Sequence, residues 1–320
     1  MGENLVQAEN VIEDNTRPLE KECVLKVTNL TKRYARKNAV DNINITINKG
    51  DIYGFIGKNG AGKTTTMKMI VGLLSPTSGS IELFGDTKLI KGCKRVSTVI
   101  ENPAFYPYMN ARQNIEVQRI LKGVEDKSIT NELLELVGLK EAGRKKAKNF
   151  SLGMKQRLAI AIALVGDPEF LILDEPINGL DPVGIKEIRD LILKLNKEAG
   201  ITVFISSHIL GELNKMATRY GVINEGKLVA EFDADELSER VKPCIKILVN
   251  NPEKAVEVIK EKFGALDIKV NDNTVCIYEN IDNFVELKSA LVDAEIIVSS
   301  FTKEQEDYES YFLALMEGEV

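Results

Sequence analysis

Apolar and polar side chains alternate along the first hundred residues in a way that predicts several β-strands. Residues 23–27 and 39–47 alternate clearly enough to predict two antiparallel strands, each with one face in contact with water. Residues 52–56 are apolar throughout, which predicts a fully buried strand, and residues 66–74 predict the helix that follows it. Two further strands are predicted by the apolar runs at 80–84 and 96–100.

The middle of the chain changes to a helical pattern and then returns to buried strands. Apolar residues recur at helical spacing from about residue 110, which predicts a helical insert at about 103–165. Its most apolar helix begins after Ser151, a residue typical of a helix N-cap. Residues 170–173 and 201–205 predict buried strands with an amphipathic helix between them. This order predicts parallel βαβ units, in which ligands bind at the carboxyl ends of the strands.

The last third of the chain changes in composition and predicts a separate small domain. Residues 221–232 predict a hairpin near the end of a first domain, residues 23–238. Strands and helices then follow in the order βαββαβ through residues 239–320, which predicts a ferredoxin-like α+β domain that closes with a helix at 304–316. At the other end, residues 1–22 are acidic and poor in large apolar residues, which predicts a disordered leader.

Composition and charge narrow the range of partners. The 320 residues are 44% hydrophobic and carry a formal net charge of −6, so the chain has no overall bias toward nucleic acid. Four cysteines lie without C-x-x-C spacing, which indicates reduced thiols and no zinc site. The longest apolar run, residues 158–165, is far shorter than the ~20 residues of a membrane-spanning helix. A partner therefore has to supply any part that crosses a membrane.

The segment between the first buried strand and its helix carries the strongest chemical signal of the chain. It fits the pattern G-x-x-x-x-G-K-[ST] of the phosphate-binding loop and has the flanking strand and helix that this motif requires. Glycines let the backbone N–H groups curl around phosphate oxygens, and the positive end of the helix dipole points to the same place. Lys63 is predicted to reach the β- and γ-phosphates, and the hydroxyl of Thr64 to bind Mg²⁺. The predicted nucleotide-binding residues of this loop are Gly57, Asn59, Gly60, Ala61, Gly62, Lys63, Thr64 and Thr65.

Two carboxylates and a histidine follow the later buried strands. Asp174 and Glu175 come directly after residues 170–173, so Asp174 is predicted to hold Mg²⁺ and Glu175 to activate or orient the attacking water. His208 is the only histidine of the chain, follows the strand at 201–205, and is predicted to donate to a γ-phosphate oxygen. Taken alone, such an acidic pair is often structural, and a lone histidine is more often an ordinary surface or core residue.

These motifs occur in the order found in one known family: the sequence resembles the ATPase subunit of ABC transporters over about residues 24–235. The resemblance is carried by the phosphate loop, the signature segment 150–154, the Walker B ending Asp174-Glu175-Pro176, the segment 179–182 and His208. It implies an α/β fold, with a P-loop NTPase core, an antiparallel β subdomain and the helical insert, that binds ATP and Mg²⁺. It also implies that Tyr34, between the first two predicted strands, stacks on adenine and that Asp181 lies at a dimer seam. Ser151 and Gly153 would then cap the γ-phosphate bound to the partner copy.

Two positions depart from the common pattern of that family. The usual L-S-G-G-Q segment is Phe-Ser-Leu-Gly-Met at residues 150–154, which keeps Ser151 and Gly153. The usual glutamine after the strand at 96–100 is Glu101, which we count as a catalytic and metal-binding residue because it still offers an oxygen while adding negative charge. Both departures are similar to the bacitracin and lantibiotic export or immunity branch. The acidic leader and the long C-terminal domain are less typical of that branch.

The resemblance also implies partners and a location. It implies a homodimer of the ATPase domain, held on the cytoplasmic, inner face of the cell membrane by an integral-membrane permease. The helical insert and the loop at 101–108 are predicted to form the groove for a permease helix, with Phe105, Tyr106 and Tyr108 as anchors. Local packing is the alternative explanation for these aromatic residues. The implied activity is ATP hydrolysis that drives export of a peptide antibiotic, a drug or another amphipathic compound.

Two other classes of function compete with this interpretation. The first is a soluble ABC-type ATPase of translation or DNA repair. The translation type resembles two tandem copies of this domain and the repair type carries a long coiled coil, whereas this chain has one copy and a short insert. The second is a regulatory module that holds ATP without turnover, which Glu175 and His208 disfavour. A phosphate-release assay separates this last class, and a neighbouring gene for a six-helix hydrophobic protein supports transport.

Overall fold

The computed structural model describes residues 22–101, 104–241, 244–264, 267–278, 284–304 and 308–317. The strands of these ranges are β1 (Cys23–Tyr34), β2 (Lys37–Asn48), β3 (Ile52–Ile56), β4 (Ser78–Leu83), β5 (Val96–Val99), β6 (Phe170–Asp174), β7 (Thr202–Ser207), β8 (Arg219–Asn224), β9 (Lys227–Asp233), β10 (Cys244–Val249), β11 (Ile268–Asn271), β12 (Thr274–Ile277) and β13 (Val298–Glu304). The helices are α1 (Lys63–Ile70), α2 (Leu89–Gly92), α3 (Ala111–Leu121), α4 (Ile129–Leu136), α5 (Leu152–Leu164), α6 (Pro182–Ala199), α7 (Leu210–Leu213), α8 (Ala234–Arg240), α9 (Pro252–Phe263), α10 (Phe284–Asp293) and α11 (Tyr308–Glu317). Residues 1–21, nearly all of the predicted acidic leader, lie outside the described ranges. None of the described helices is long and apolar enough to cross a bilayer.

The N-terminal strands form an antiparallel sheet in the order β2-β1-β4. β1 continues well beyond the predicted strand at 23–27, because register shifts such as the one between Val27 and Leu30 interrupt the alternation without ending the pairing. Tyr34, which we placed in a connection between two strands, is therefore the last residue of β1 and pairs with Lys37. Its position at the end of a paired strand leaves the residue 51% exposed.

A six-stranded sheet in the order β5-β6-β7-β3-β8-β9 forms the centre of the molecule. Neighbouring strands are parallel except in the β8–β9 hairpin. β3 and β6 are buried at every position, as their apolar sequences predicted. On β3, Tyr53 and Phe55 pack toward the antiparallel sheet and α1, whereas Ile52 and Ile56 belong to the core on the helical side. The parallel arrangement brings the carboxyl ends of β3, β5, β6 and β7 to one edge.

The helical insert consists of α3, α4 and α5, within the predicted range. Asn110 and Gln113 form a reciprocal capping box at the start of α3. Ser151 caps α5 as predicted, because its Oγ accepts a hydrogen bond from the backbone N–H of Met154 at 3.3 Å. Buried residues of α5, such as Leu158, share one hydrophobic cluster with α6 and with the helical face of the central sheet. The insert is therefore continuous with the main core.

The C-terminal strands form an antiparallel sheet in the order β11-β12-β10-β13, as expected for a ferredoxin-like βαββαβ unit. α9 has the predicted bounds, whereas the predicted start of the next helix at residue 281 lies outside the described residues. Helices α9 and α10 contribute Ile259 and Leu291 to a core that includes Ile245 and Ile247 of β10. This core is separate from the two clusters on the faces of the central sheet.

The closing helix lies elsewhere than predicted. We placed it at 304–316 as the last element of the C-terminal domain, but α11 packs against α7, β8 and β9 of the first domain. Phe312 is fully buried there, with its ring centroid 6.3 Å from that of Tyr220 and 5.8 Å from that of Phe232. The physical reason is the aromatic patch on the β8–β9 hairpin, which is buried when α11 covers it. The sequence pattern of α11 shows that the helix has an apolar face but not which surface that face covers.

Candidate functional site

The phosphate loop lies between β3 and α1, at the carboxyl edge of the central sheet. α1 begins at Lys63 rather than at residue 66, because the last residues of the motif already form the first helical turn. The first N–H groups of a helix have no intrahelical partner, so this turn offers donors and a positive dipole end to a phosphate. Lys63 is 5% exposed, and its Nζ donates to the carbonyl oxygens of Gly57 at 2.6 Å and Lys58 at 3.3 Å.

Two glycines of the loop are required by close backbone approach. A Cβ on Gly57 would lie 2.4 Å from the carbonyl oxygen of Ile223 in β8. Gly62 has a φ of +114°, and a Cβ there would lie 2.6 Å from the carbonyl oxygen of Ala39 in β2. The loop is thus held between the β1–β2 hairpin and β8, which fixes the direction of its N–H groups.

Asp174 and Thr64 lie together opposite the loop. Oγ1 of Thr64 donates to Oδ2 of Asp174 at 2.7 Å, and Oγ of Ser206 donates to Oδ1 at 2.6 Å. A hydroxyl and a carboxylate are the hard oxygen ligands that Mg²⁺ prefers, and Mg²⁺ typically takes its remaining ligands from substrate phosphates and water. Among the described residues, no group of three or more histidine, cysteine, aspartate or glutamate side chains is placed to hold a metal ion.

Glu175 links the phosphate loop to the histidine. Its Oε2 lies 2.6 Å from Nδ1 of His208, and its Oε1 lies 3.1 Å from Nζ of Lys63. The contact with Lys63 is an ion pair without good hydrogen-bond geometry, since Oε1 has no hydrogen-bond partner. Glu175 has a φ of +50°, and its backbone N–H donates to Oγ of Ser206 at 2.9 Å, which stabilises this unusual backbone. Lys63, Glu175 and His208 thus form a chain of charged and polar contacts where the γ-phosphate is predicted to lie.

Tyr34 lines a cavity of about 530 Å³ on the other side of the loop. The cavity is lined by Tyr34, Lys37, Asn38, Ala39, Lys58, Asn59, Gly60, Ala61, Asn224, Glu225 and Gly226. Nζ of Lys32 lies 5.3 Å from the centroid of the Tyr34 ring. An exposed ring beside the phosphate loop is the geometry that base stacking requires.

The predicted seam residues lie away from this cavity. Ser151 and Gly153 are not among its lining residues. Asp181 caps α6, accepting a hydrogen bond from the N–H of Gly184 at 3.0 Å. A Cβ on Gly179 would lie 3.2 Å from Cδ2 of Leu152, so the signature segment and the segment 179–182 are in contact. Leu152 is 49% exposed, which leaves an apolar side chain at this surface.

Glu101 is a further predicted site residue, and the structure does not bring it to Thr64 and Asp174. It follows β5 as expected, has a φ of +61° and is 59% exposed. Its carboxylate pairs with Nζ of Lys68 on α1 instead of with Thr64 or Asp174. The glutamate therefore lies beside the phosphate-loop helix.

The sequence analysis missed two residues that support the site. Ser206 holds both Asp174 and the backbone of Glu175, and its only signal in the sequence was a hydroxyl directly after the apolar run at 201–205. Asn224 lines the cavity beside Tyr34, and its side chain donates to the carbonyl oxygen of Met316 at 2.6 Å. Nothing in the local pattern pointed to that contact, because Met316 is distant along the chain.

A phosphate loop at the carboxyl edge of a parallel sheet, facing a glutamate paired with lysine and histidine, is the arrangement of a P-loop nucleoside triphosphatase. The family model described as "ABC transporter" matches residues 40–178. The chain is 43% identical to the bacitracin transport ATP-binding protein BcrA of Bacillus licheniformis, over 92% of this chain and 98% of that protein. It belongs to the ABC transporter ATP-binding family and is an ATPase subunit that powers such a transporter.

Two further comparisons support this assignment. The lantibiotic transport ATP-binding protein SrtF of Streptococcus pyogenes is 45% identical over 66% of this chain and 92% of that protein. The dimeric structure of an ATP-binding cassette in a post-hydrolysis state, with ADP and phosphate bound, has a TM-score of 0.59 and 28% identity, over 66% of this chain and 98% of that chain. The predicted fold class and the predicted ATPase activity are thereby confirmed.

The relatives share the C-terminal region to different extents. We considered the long C-terminal domain less typical of the bacitracin and lantibiotic branch, and the match to SrtF covers only 66% of this chain. A match over 92% of the chain must extend well into residues 239–320, so the BcrA protein of Bacillus licheniformis shares that region.

Proposed function

We propose that two copies of this chain bind MgATP at two composite sites and couple its hydrolysis to export of a peptide antibiotic. The observation that carries the hydrolytic site is the contact chain Lys63–Glu175–His208 beside Asp174 and Thr64. The proposal that the exported compound is a peptide antibiotic is supported by the relatives, which are named for bacitracin and lantibiotic transport. Peripheral attachment to the inner face of the membrane follows from binding to a permease.

Each residue of the contact chain has a proposed role in hydrolysis. Lys63 moves from Glu175 to the β- and γ-phosphates, because a buried ammonium group follows the stronger negative charge. Glu175, released from Lys63, accepts a hydrogen bond from the attacking water and orients it toward the γ-phosphorus. His208 donates to a γ-phosphate oxygen and holds the phosphoryl group in line. Tyr34 stacks on adenine.

Thr64 and Asp174 are the residues proposed to hold Mg²⁺, which neutralises charge that develops on the phosphate oxygens when bound. Ser206 fixes Asp174 by a hydrogen bond of 2.6 Å, so the carboxylate is oriented before the nucleotide arrives. The Thr64 hydroxyl lies at the first turn of α1, where it can turn from Asp174 toward the metal.

The second half of each site is proposed to come from the partner copy. Ser151 begins α5, so its hydroxyl and the N-terminal N–H groups of that helix are suited to a γ-phosphate oxygen. These groups do not line the cavity at the phosphate loop of their own chain. Asp181 and Leu152 would lie at the seam. The dimer closes when ATP contributes contacts to both copies and reopens after hydrolysis removes them.

Replacing Glu101 by glutamine should distinguish the effect of its negative charge from the effect of its side-chain oxygen. The change keeps an acceptor but removes a negative charge beside α1, so metal-free ATP should bind about twofold to fivefold more tightly. The Mg²⁺ concentration for half-maximal turnover should rise by a similar factor, since less negative charge attracts the ion. Titrations of nucleotide binding and of phosphate release measure both effects. Glu141→Gln, at an exposed position of the insert, is the control. If Glu101→Gln changed neither the affinity for metal-free ATP nor the Mg²⁺ requirement, this role of Glu101 would be contradicted.

The proposed permease groove lies between the insert and β5. It encloses about 390 Å³ and is lined by Leu73, Val96, Ser97, Thr98, Val99, Ile100, Ala104, Gln118, Lys122, Ala159, Ile162 and Ala163. Buried Asn114 fixes the adjacent loop, accepting from the N–H of Tyr106 at 2.6 Å and donating to its carbonyl oxygen at 3.1 Å. Tyr106 is 52% and Tyr108 70% exposed, whereas Phe105 packs partly against the main core. Tyr106 and Tyr108 are therefore the stronger anchor candidates. For Phe105, local packing accounts for part of its burial, and its remaining exposed surface is available for a permease helix.

The double variant Tyr106→Ser/Tyr108→Ser should release the protein from its permease. Two exposed rings on a fixed loop supply anchor area at low entropy cost, so co-purification with the membrane-spanning product of a neighbouring gene should fall at least tenfold. Resistance of the producing cell to a bacitracin-type peptide should fall with it, while ATP binding persists. The matched control is Val285→Ser/Val292→Ser, two exposed apolar residues of α10. Undiminished co-purification of the tyrosine double variant would refute the anchor assignment. If deletion of the gene for this chain left resistance to the bacitracin-type peptide unchanged, the proposed export substrate would be refuted.

A further inference from the structure

We propose that α11 is a positioning element of the ATP site, so that ATP binding depends on the extreme end of the described chain. The proposal rests on the role assigned above to the phosphate loop. α11 follows the C-terminal α+β unit in sequence but packs on the ATPase domain, with Phe312 fully buried against Tyr220 and Phe232. Two separate sets of contacts lead from this helix to the nucleotide site.

The first set runs through the turn of the β8–β9 hairpin. Nδ2 of Asn224 donates to the carbonyl oxygen of Met316 at 2.6 Å, which ties the turn to the last part of α11. Two residues on, the N–H of Gly226 donates to the carbonyl oxygen of Ala61 in the phosphate loop at 2.9 Å. The carbonyl oxygen of Gly226 accepts from the N–H of Asp41 at 2.8 Å. The turn therefore closes one wall of the cavity beside Tyr34, and α11 supports it from behind.

The second set lies beside the histidine. Leu313 and Met316 line a cavity of about 160 Å³ together with Gly57, Lys58 and His208. Leu210, in the helix that follows His208, lines the same cavity. α7 cannot retreat from α11, because it already packs tightly on β3: a Cβ on Gly54 would lie 1.9 Å from Cδ2 of Leu213. The segment that carries His208 is thus held between β3 and α11.

Core packing alone does not account for these contacts. It explains why Phe312 is buried, but it requires neither the polar bond from Asn224 to α11 nor a partly exposed Leu313 beside the phosphate loop. α11 is also joined covalently to the strands and helices at 244–304. A displacement of that unit would therefore pull on the helix that supports the ATP site.

A double-mutant cycle on ATP affinity tests the proposal. Asn224→Ala removes the bond to α11, and Phe312→Leu loosens the docking of the helix. Asn224→Ala should raise the Kd for ATP about threefold to tenfold, the effect expected for the loss of one intramolecular hydrogen bond. Phe312→Leu should raise the Kd by no more than this, because it acts by weakening the same bond when the helix loosens. Because both substitutions act through α11, the Kd of the double variant for ATP should not exceed the larger of the two single-variant Kd values. Val285→Ala, at an exposed position of α10, is the control and should leave Kd unchanged.

Multiplied effects in the double variant would overturn the proposal, since they would show that Asn224 acts independently of α11. Unchanged affinity in both single variants would overturn it as well. Circular dichroism and urea unfolding identify a variant that fails to fold. The readout is equilibrium binding, so it does not depend on whether Glu175 is the water-orienting residue, and failure of that assignment would be seen separately in turnover.

A second pair of variants, Leu313→Glu and Leu313→Gln, tests the location of α11 without disturbing the core. The two side chains have nearly the same size, but only glutamate places a negative charge near the phosphates. We expect glutamate to raise the Kd for ATP about fivefold more than glutamine at low salt, and this difference to shrink at high ionic strength. Equal effects of the two substitutions at every salt concentration would contradict a helix that borders the phosphate loop.

Discussion

Replacing Glu175 by glutamine is expected to lower the rate of ATP hydrolysis about 10²–10³-fold while ATP remains bound. Glutamine keeps the size and one oxygen of the side chain but can no longer act as a negatively charged acceptor for the attacking water. It also removes the ion pair with Lys63, so that the carboxylate no longer competes with the phosphates for this ammonium group. Phosphate release under saturating ATP measures the loss. Size-exclusion chromatography should show an ATP-dependent dimer that persists, because the bridging γ-phosphate is not cleaved.

The chain offers a matched control at the other end of the same strand. Glu169 precedes β6, and its two carboxylate oxygens accept hydrogen bonds from the Arg95 guanidinium at 2.5 and 2.6 Å, which lowers the pKa of Glu169. Glu169→Gln weakens this exposed pair and should leave turnover within about twofold of the unsubstituted protein, because such surface pairs contribute little. Wild-type turnover in Glu175→Gln would show that another group orients the water.

Lys63→Met is expected to weaken ATP binding on the order of 100-fold. The Lys63 side chain is 5% exposed, and its ammonium group is held by the carbonyl oxygens of Gly57 and Lys58 at the mouth of the loop. Methionine fills similar space but removes two charge-assisted hydrogen bonds to phosphate and leaves Glu175 without its cation. Isothermal titration with ATP and Mg²⁺ measures the change.

Lys91→Met, at an exposed position of α2, is the control for general loss of positive charge and should change the Kd for ATP less than twofold. If Lys63→Met bound ATP as tightly as Lys91→Met, Lys63 could not be the phosphate ligand. The two variants should unfold at similar urea concentrations, so a difference in affinity would reflect the site rather than the fold.

The sequence was sufficient where chemistry and secondary structure depend on the same local pattern. The bounds of β3 were predicted correctly because a fully apolar run next to a glycine-rich loop leaves few alternatives. Ser151 was correctly placed as a helix cap, since a side-chain oxygen before an apolar helix has one evident use. The carboxyl-edge rule also placed Asp174 and Glu175 beside the phosphate loop before any contact was known.

The sequence was insufficient where distant segments meet. It could not show that Lys63 and His208 both contact Glu175, because pairing at one sheet edge depends on side-chain orientation in three dimensions. It placed Tyr34 in a connection, because register shifts hide the alternation of β1. It placed α11 with the α+β unit, since chain order and an apolar helical pattern do not specify which surface the helix covers.

The location of α11 has a consequence for how the protein folds during its synthesis on the ribosome. The segment that covers Tyr220 and Phe232 is made roughly eighty residues after the hairpin it supports. Domains generally fold in the order of their synthesis, so the ATPase domain can form while this aromatic patch is still open. A chain that is cut short before residue 308 would keep every sequence motif of the family and still lack the support behind its nucleotide pocket. Synthesis of α11 would thus complete the support of the nucleotide pocket only after the motifs themselves have been made.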